Sequence, residues 1–366
     1  MDEQRIAVVG GGVVGLAVAW QAAVEGMPVT VVDPEPVSGG ASWVAAGMLA
    51  PVTEAWPGEE HVLALGAESL RRWPAFAADL ATPPDLRTEG TIALALDAAD
   101  AADQARLADF LASLGREVRG LSGREVRELE PGVGAVRGGL LVPGDLSVDS
   151  HLLLRSLRES AELAGVEFVT QRAVSVEDGG VTLADGSTVE CREAVIAAGA
   201  WSAELHPALA GLVHPVKGEI LTLRARPGTL PPPTRTLRAR VESRPVYLVP
   251  HSDGRLHVGA TQSEVGHDTD VTAGGVRDLL DDAERVLPGI REYTLAEATA
   301  HVRAGSRDNL PLLGRLTPGV LAATAHHRNG VLLAPLTAAT IVAILRGRSL
   351  DDHVVAASPD RFGDAR

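Results

Sequence analysis

IAVVGGGVVG, residues 6–15, is the stretch of this 366-residue sequence that says most about its fold. The apolar run 6–9 leads directly into a Gly-x-Gly-x-x-Gly motif, and an alanine-rich segment, 16–25, follows the motif. This order predicts a buried strand, a tight turn and a helix. A second apolar run, 29–32, supplies the parallel strand that completes a β-α-β unit of the dinucleotide-binding type.

Each glycine of the motif has its own physical role. Gly10 permits the tight turn, Gly12 lets the backbone approach a pyrophosphate, and Gly15 lets the helix pack closely on the strand. The free N–H groups at the helix start, including those of Val13 and Val14, hold the phosphates together with the positive end of the helix dipole. We therefore expect a dinucleotide at this turn.

Asp33 ends the second strand, 18 residues after Gly15. An acidic side chain at this position accepts hydrogen bonds from the ribose hydroxyls and repels a 2′-phosphate. The motif and Asp33 do not by themselves distinguish NAD from FAD.

Length and charge restrict the classes of protein to consider. A chain of 366 residues exceeds one typical domain, so two lobes are expected. The net charge of −15 repels nucleic acid and anionic membranes, and neither is expected as a partner. The start Met1-Asp2-Glu3 lacks the positive region of a secretory signal, and the single cysteine, Cys191, cannot form an internal disulfide. A cytoplasmic protein is the simplest interpretation, and a homo-oligomer stays open.

Further along the chain, apolar runs and capping residues predict more strands and helices. Asp149, as an N-cap, begins a helix that ends near Ala164, and the proline-rich stretch 227–233 is predicted to be a loop within one sheet. A hairpin meander in an α/β layout is expected at 167–198. The other predicted strands are 89–96, 167–170, 173–177, 180–183, 194–198, 219–223, 246–250 and 258–262, and the other helices are 98–114, 268–286 and 336–345.

A dense run of small residues, GGASWVAAGMLAP (39–51), follows Asp33 closely. It resembles the FAD-dependent amino-acid oxidase family that includes D-amino-acid oxidase and sarcosine oxidase, and above all the glycine oxidase branch, in which this pattern lies along the flavin. Val44 stands where that branch has alanine. The flavin contacts that the resemblance implies here are Ala41, Ser42, Ala46, Gly47 and Met48.

Two later motifs carry the same resemblance. VIAAGAWS (195–202) is similar to the family's second flavin-contacting strand and turn, and HHRNGVLLAP (326–335) is similar to its His-Tyr-Arg-Asn-Gly segment, with His327 in place of tyrosine. An Arg-Asn-Gly turn before an apolar helix can supply donors to the pyrimidine carbonyl of a reduced flavin. The further FAD contacts implied by resemblance are Val174, Ala198, Gly199, Trp201, His327, Arg328, Asn329, Gly330, Val331 and Leu332.

The resemblance extends to a substrate site. In AHVRAGSRDNLP (300–311) Arg303 occupies the position of the family's carboxylate-binding arginine, and in VYLVP (246–250) Tyr247 matches the tyrosine that meets the same carboxylate. Tyr247 is one of only two tyrosines in the chain. The residues expected at the reacting centre are Arg303, Tyr247, Met48 and Arg328, with no metal.

The family's fold is α/β, a Rossmann-type FAD-binding domain with a discontinuous second α+β substrate domain built on a mainly antiparallel sheet. Applied to this chain, the resemblance assigns 1–86, 147–215 and 301–366 to the FAD-binding domain, and 87–146 and 216–300 to the substrate domain. Cys191 does not lie at the C-terminal position where sarcosine oxidases tether FAD, so noncovalent FAD is expected.

The activity implied is oxidative deamination of glycine and other small amines, such as sarcosine and small D-amino acids, with dioxygen reduced to hydrogen peroxide. The imino acid would supply the thiazole of thiamine. Arg303 offers a bidentate fork to the carboxylate, and positioning does most of the catalysis. Three alternatives stay open: an oxidase specific for sarcosine or a D-amino acid, a dehydrogenase that passes electrons to quinone, and a flavin-binding module without turnover.

Overall fold

The computed structural model describes residues 5–35 and 39–363. Within them the strands, in chain order, are β1 (Ile6–Val9), β2 (Val29–Val32), β3 (Met48–Leu49), β4 (Thr91–Ala95), β5 (Arg119–Ser122), β6 (Gly138–Val142), β7 (Leu146–Ser147), β8 (Glu167–Val169), β9 (Ala173–Glu177), β10 (Gly180–Leu183), β11 (Thr188–Glu190), β12 (Glu193–Ile196), β13 (His214–Arg224), β14 (Thr236–Val241), β15 (Arg244–Pro250), β16 (Arg255–Gly259), β17 (Thr294–Gly305), β18 (Leu312–Thr317) and β19 (Val320–Thr324). The α-helices are α1 (Val13–Val24), α2 (Ala41–Val44), α3 (Glu60–Ala78), α4 (Ala98–Ser113), α5 (Gly123–Leu129), α6 (Ser150–Leu163), α7 (Ser202–Leu205), α8 (Ala273–Val286) and α9 (Gly330–Leu345).

A six-stranded sheet in the order β18-β19-β12-β1-β2-β8 forms the first half of the molecule. Its neighbouring strands are parallel except for the antiparallel pair β18–β19. β1 and β2 are buried along their whole length, as expected for parallel strands with both faces covered. α1 packs against α6 and α9, and its alanines allow this close packing. The glycine turn thus lies where β1 ends and α1 begins.

An eight-stranded sheet in the order β17-β13-β16-β15-β14-β4-β6-β5 forms the second half. Its strands pair antiparallel except for β4 and β14, which are parallel. Leu279, Ala283 and Val286 of α8 pack into an apolar cluster with strand residues such as Leu221 and Leu248. A parallel Rossmann-type sheet beside a mainly antiparallel sheet confirms the predicted fold class.

The predicted meander at 167–198 is divided between two sheets. β8 and β12 belong to the six-stranded sheet, whereas β9, β10 and β11 form a small antiparallel sheet of their own. β12 is almost wholly buried, but β9 has one buried residue, Val176, and exposes Val174 and Glu177. Strands with one solvated face are typical of antiparallel hairpins, and buried ones of parallel sheets.

Two helices differ from the sequence prediction at their N-termini. α8 begins at Ala273 rather than Asp268, because the Thr272 side chain caps it by accepting from Gly275 N and Asp268 pairs instead with Lys217. α9 begins at Gly330, six residues before the predicted start, and contains Pro335.

A stretch of 19 residues, His327–Leu345, is long and apolar enough to cross a membrane by length and composition. However, 67% of its most apolar window is buried inside the protein. It packs against α1 and α3, and the Leu332 carbonyl accepts from Ser69 Oγ at 2.7 Å and Trp73 Nε1 at 2.9 Å. These contacts are those of a core helix.

Candidate active site

The turn between β1 and α1 has no space for side chains at two of its glycines. Gly10 has φ +116°, and a Cβ there would lie 2.3 Å from the carbonyl oxygen of Ala197. A Cβ on Gly15 would lie 1.8 Å from the carbonyl oxygen of Gly10. The backbone at this turn therefore requires glycine, as the motif predicts.

The start of α1 presents backbone donors to a cleft. Gly12, at the N-cap, has no side chain to cap the helix, and Val13 N donates to Ser42 Oγ at 3.0 Å. Asp33 accepts hydrogen bonds from Gly11 N and Glu35 N, both at 2.7 Å, and so connects the glycine turn to the segment that follows β2. A helix N-terminus beside a carboxylate fits a pyrophosphate next to a ribose. The residues present therefore fit the nucleotide part of FAD.

We call this space the nucleotide cleft, a cavity of about 760 Å³ bounded by the glycine turn, Asp33, the 39–43 segment and the 197–201 turn. Val174 lies at its edge with 46% of its surface exposed. The predicted cofactor residues on its wall are Gly10, Gly12, Val13, Val14, Asp33, Ala41, Ser42, Val174, Ala198, Gly199, Trp201, His327 and Gly330.

A second space of about 770 Å³, which we call the interdomain cavity, lies between the small-residue segment 41–48 and the eight-stranded sheet. The nucleotide cleft and the interdomain cavity share wall residues, including Ser42, Arg303 and His327. Gly47 has φ +83°, and a Cβ there would lie 1.8 Å from the carbonyl oxygen of Val148. The predicted residues found on this wall are Ala46, Gly47, Met48, Tyr247, Arg328 and Val331, in addition to those that are shared.

The side chains of Arg303 and Tyr247 each pack on a glycine of a neighbouring strand and extend into the interdomain cavity. Gly218 on β13 lies opposite β17, and a Cβ there would be 2.3 Å from both Arg303 Nη atoms. Gly259 lies directly opposite Tyr247, and a Cβ there would be 2.3 Å from the tyrosine hydroxyl. Any larger residue at 218 or 259 would displace the side chain above it.

The phenol of Tyr247 stays neutral. Burial raises the pKa of Tyr247 above its usual value of 10, while the positive charge of Arg303 lowers it and the negative charge of Glu54 raises it. Because burial has the largest effect, the hydroxyl is a hydrogen-bond donor beside a guanidinium. This pair can bind a carboxylate from two directions.

The sequence analysis missed a charged cluster on the same wall. Arg238 of β14 pairs directly with Tyr247 of β15, and its Nη1 lies 2.8 Å from Glu54 Oε1. Arg328 approaches the other oxygen of Glu54, with Nε 3.7 Å from Oε2. The local sequence does not distinguish Arg238 from the other 31 arginines. Only the register of β14 on β15 shows that it lies beside Tyr247.

Two neighbouring histidines lie near the junction of the nucleotide cleft and the interdomain cavity. Burial lowers the pKa of His326 to about 3, and burial together with the charges of Arg303 and Arg328 lowers that of His327 to about 3. His326 Nε2 is 2.9 Å from Thr337 Oγ1, whereas His327 Nδ1 is buried without a hydrogen-bond partner among the residues that the structure describes. Both imidazoles are therefore neutral at physiological pH.

Three of the predicted cofactor residues lie on neither wall. Gly15 serves the packing of α1 on β1 and does not face the nucleotide cleft. Asn329 is buried below the turn, and Leu332 packs in the core between α1 and α3. Cys191 is also absent from both walls, and burial raises the pKa of its thiol to about 11.

One further residue on both walls was not singled out from the sequence. His301 lies two residues before Arg303 on β17, and its ring packs against Trp201 with the centroids 5.6 Å apart. The strand alternation around Arg303 is the signal that could have indicated it, because residues two apart share a face.

Comparison with known proteins gives a consistent assignment. Residues 5–344 match the DAO family, described as FAD dependent oxidoreductase. A glycine oxidase from Geobacillus kaustophilus (strain HTA426) is 34% identical over 348 residues, which cover 91% of this chain and 90% of that protein. The crystal structure of glycine oxidase from Geobacillus kaustophilus superposes with a TM-score of 0.89 at 31% identity, covering 98% of this chain and 99% of that one.

The chain also matches about half of a longer relative. The bifunctional protein ThiO/ThiG of Synechocystis sp. (strain ATCC 27184 / PCC 6803 / Kazusa) is 33% identical over 367 residues, which cover 98% of this chain but 54% of that protein. The family match over most of the chain and the similarity to glycine oxidases of nearly equal length agree with the resemblance of the motifs. The chain therefore belongs to the DAO family of FAD-dependent oxidoreductases.

Proposed function

We propose that the chain oxidises glycine and other small amino acids, including sarcosine and small D-amino acids, with dioxygen as electron acceptor. The observation that carries this proposal is the position of Arg303 and Tyr247 on the wall that adjoins the nucleotide cleft. A guanidinium and a neutral phenol suit a carboxylate, and the glycine oxidases among the similar proteins support the same substrate class.

The chain's own residues act mainly by binding and orientation. Arg303 and Tyr247 hold the substrate carboxylate, while Met48 and Val331 form an apolar part of the wall that excludes water. FAD, held by the glycine turn, Asp33 and the 42–48 segment, would supply the redox chemistry, namely acceptance of the substrate Cα hydride and reduction of dioxygen to hydrogen peroxide. Because His326 and His327 have pKa values near 3, neither can act as a charged acid at neutral pH. The substrate amine must lose its proton to solvent before oxidation, since only a neutral nitrogen has the lone pair that forms the C=N bond as the hydride leaves Cα.

The cofactor contacts follow from the same arrangement. We infer that the pyrophosphate lies at Gly10 and Gly12, the ribose at Asp33, and the flavin along Ser42 to Met48 with the 327–331 segment beside it. The division into an FAD-binding domain of 1–86, 147–215 and 301–366 and a substrate domain of 87–146 and 216–300 is part of this proposal. A cytoplasmic location stays a prediction.

The product suggests a place in a reaction sequence. Oxidation of glycine gives an imine that hydrolyses in water to ammonia and an oxo acid. The similarity to ThiO/ThiG proteins supports the proposal that another enzyme consumes this imine to build the thiazole of thiamine.

Anaerobic addition of glycine to the purified FAD-loaded protein tests the function. We expect the flavin absorbance to bleach, and on admission of air we expect hydrogen peroxide and ammonia in equal amounts. Bleaching without peroxide, with electrons passing to a dye, would indicate a dehydrogenase. A flavin that glycine, sarcosine and D-alanine all fail to reduce would refute the proposed function and leave a flavin-binding module.

A further inference from the structure

Glu54 is an acidic side chain whose charge acts on Tyr247 of the proposed carboxylate site. Its side chain is 13% exposed, and it lies on the wall of the interdomain cavity with Arg238 and Arg328. Arg238 Nη1 lies 2.8 Å from Oε1, and Arg328 Nε lies 3.7 Å from Oε2. Its charge is close enough to Tyr247 to raise the pKa of the phenol. One carboxylate thus serves two guanidinium groups beside the site.

The other acidic side chains of the wall are engaged elsewhere. Asp100 accepts a hydrogen bond from Leu96 N, and Asp103 pairs with Arg106 one turn further along α4. Among the described residues, Arg303 has no carboxylate within 4 Å, which leaves its fork available to a substrate. Five arginines therefore line the interdomain cavity. Arg106 pairs with Asp103 and Arg240 lies over the ring of Trp56, whereas Glu54 neutralises Arg238 and Arg328 beside Arg303.

Arg238 has no other ion-pair partner in the described part of the chain. Arg328 has a second one, since its Nη2 lies 3.4 Å from Glu59 Oε2. Glu59 does not line the interdomain cavity, and Asn309 Nδ2 donates to it at 2.7 Å. Loss of the Glu54 charge would therefore leave one unpaired guanidinium and one partly paired guanidinium on the wall, next to Tyr247.

Building on the proposed function, we propose that Glu54 determines specificity by excluding amines that carry a second carboxylate. With its charge removed, Arg238 and Arg328 form a second carboxylate site beside Arg303. The class of substrate then admitted is the N-carboxyalkyl amino acids, of which iminodiacetate is the smallest. In the native protein the same second carboxylate meets the charge of Glu54, and like charges at an interface are strongly unfavourable.

The test compares two secondary amines of nearly equal size, iminodiacetate and N-ethylglycine, which differ in a terminal carboxylate or methyl group. For the FAD-loaded native protein we expect kcat/KM to favour N-ethylglycine. In Glu54→Gln, which keeps the size of the side chain, we expect the ratio of kcat/KM for iminodiacetate to that for N-ethylglycine to rise about 10- to 100-fold. The matched control is Glu59→Gln, which removes the other carboxylate near Arg328 but leaves the cavity wall unchanged. Its ratio should stay within about twofold of the native value.

A binding measurement separates this inference from the proposed function. Succinate and butyrate are not amines, so their dissociation constants can be read from the flavin spectrum without turnover. Glu54→Gln should bind succinate about tenfold more tightly relative to butyrate than the native protein does. In the double variant Glu54→Gln/Arg238→Gln this gain should disappear, because the freed guanidinium is gone.

The outcomes are distinct. If no amine is oxidised but the succinate preference appears in Glu54→Gln, the proposed function fails and the role of Glu54 stands. If Glu54→Gln turns over N-ethylglycine and neither the substrate ratio nor the succinate preference changes, the role of Glu54 is refuted. Should Glu54→Gln lose FAD or fail to fold, Arg238→Gln is the variant to measure. If Arg238→Gln raised the kcat/KM for iminodiacetate relative to N-ethylglycine, Arg238 could not be part of a second carboxylate site.

Discussion

Glycines make room for neighbouring groups in both the nucleotide cleft and the interdomain cavity. The two sites differ in the sequence distance between a glycine and the group that packs on it. In the nucleotide cleft, Gly15 packs on the carbonyl of Gly10, five residues away. In the interdomain cavity, Gly218 makes room for Arg303, which belongs to another strand far along the chain. The contact between Gly15 and Gly10 is thus local, although Gly10 also approaches the distant carbonyl of Ala197, whereas the space for Arg303 is a product of strand register. Changes in one site should leave the other intact.

The largest effect is expected for Arg303→Ala. A substrate carboxylate without its guanidinium partner costs about 2–5 kcal/mol, so kcat/KM for glycine should fall about 30- to several-thousand-fold. FAD content per protein should not change, because Arg303 contributes no donor to the pyrophosphate turn. Steady-state kinetics and the flavin-to-protein ratio, measured together, check both statements.

Arg303→Lys is the control for charge alone. One ammonium cannot reproduce the planar two-point contact, so lysine should restore little of the lost activity. If Arg303→Ala keeps the native KM and kcat for glycine, the assignment of the carboxylate site is wrong, and Arg328 becomes the next candidate.

Asp33→Ala should have the complementary effect in the nucleotide cleft. The carboxylate accepts from Gly11 N and Glu35 N and is expected to accept from the ribose. A hydrogen bond to a charged group contributes about 1.5–3 kcal/mol, so FAD binding should weaken by that amount. The FAD dissociation constant of reconstituted apoprotein measures it, and at saturating FAD the KM for glycine should remain native. A changed KM with native FAD affinity would contradict the separation of the two sites.

The same distinction explains what could be predicted from the sequence. The close contact of Gly15 with Gly10 and the N-cap Asp149 could be predicted because their partners lie within a few residues. Asp33 follows β2, as the apolar run predicts, and its role toward the ribose stays a prediction. The start of α8 could not be predicted, since Asp268 pairs with Lys217, 51 residues earlier. No local pattern reveals such a pair.

The site residues show the same division. Arg303 and Tyr247 were found by resemblance to a family, and no property of their own segments would have selected them. Glu54 and Arg238 were missed because their significance arises from a 2.8 Å contact between a loop and a strand of the second sheet. The register of β14 on β15 is fixed only when the whole sheet is formed.

Behind the interdomain cavity, Asp145 should make stability depend on pH. It is fully buried and accepts from Thr53 Oγ1, and its second oxygen has no hydrogen-bond partner within 5–35 and 39–363. Burial raises its pKa to about 7, from an ordinary value of 3.8. Between about pH 4 and 7 the folded protein therefore holds a proton that the unfolded chain releases, so this contribution to stability is lost as the pH rises through 7.

Asp145→Asn should remove that dependence, since the amide is neutral at every pH. Relative to the variant, the native protein should lose about 1.4 kcal/mol of unfolding free energy between pH 6 and pH 8. Urea denaturation at the two pH values measures the difference. Asp103→Asn, an exposed carboxylate of the interdomain cavity wall, is the control and should leave the pH dependence unchanged. Parallel pH profiles for Asp145→Asn and the native protein would show that Asp145 is ionised throughout.

The smallest effect is expected for Tyr247→Phe, which tests how the carboxylate site divides its binding between a charge and a neutral donor. Burial keeps the Tyr247 pKa above its usual value of 10, so the hydroxyl donates as a neutral group across the range in which the enzyme can be assayed. The loss of one neutral hydrogen bond costs about 0.5–1.5 kcal/mol, or about 2- to 12-fold in kcat/KM for glycine, and it should appear mainly in KM. FAD content should stay native, because the hydroxyl lies above Gly259 and away from the nucleotide cleft. If Tyr247→Phe were as damaging as Arg303→Ala, the phenol would have to act on the reaction itself, and the description of this site as a clamp of one charge and one dipole would be wrong.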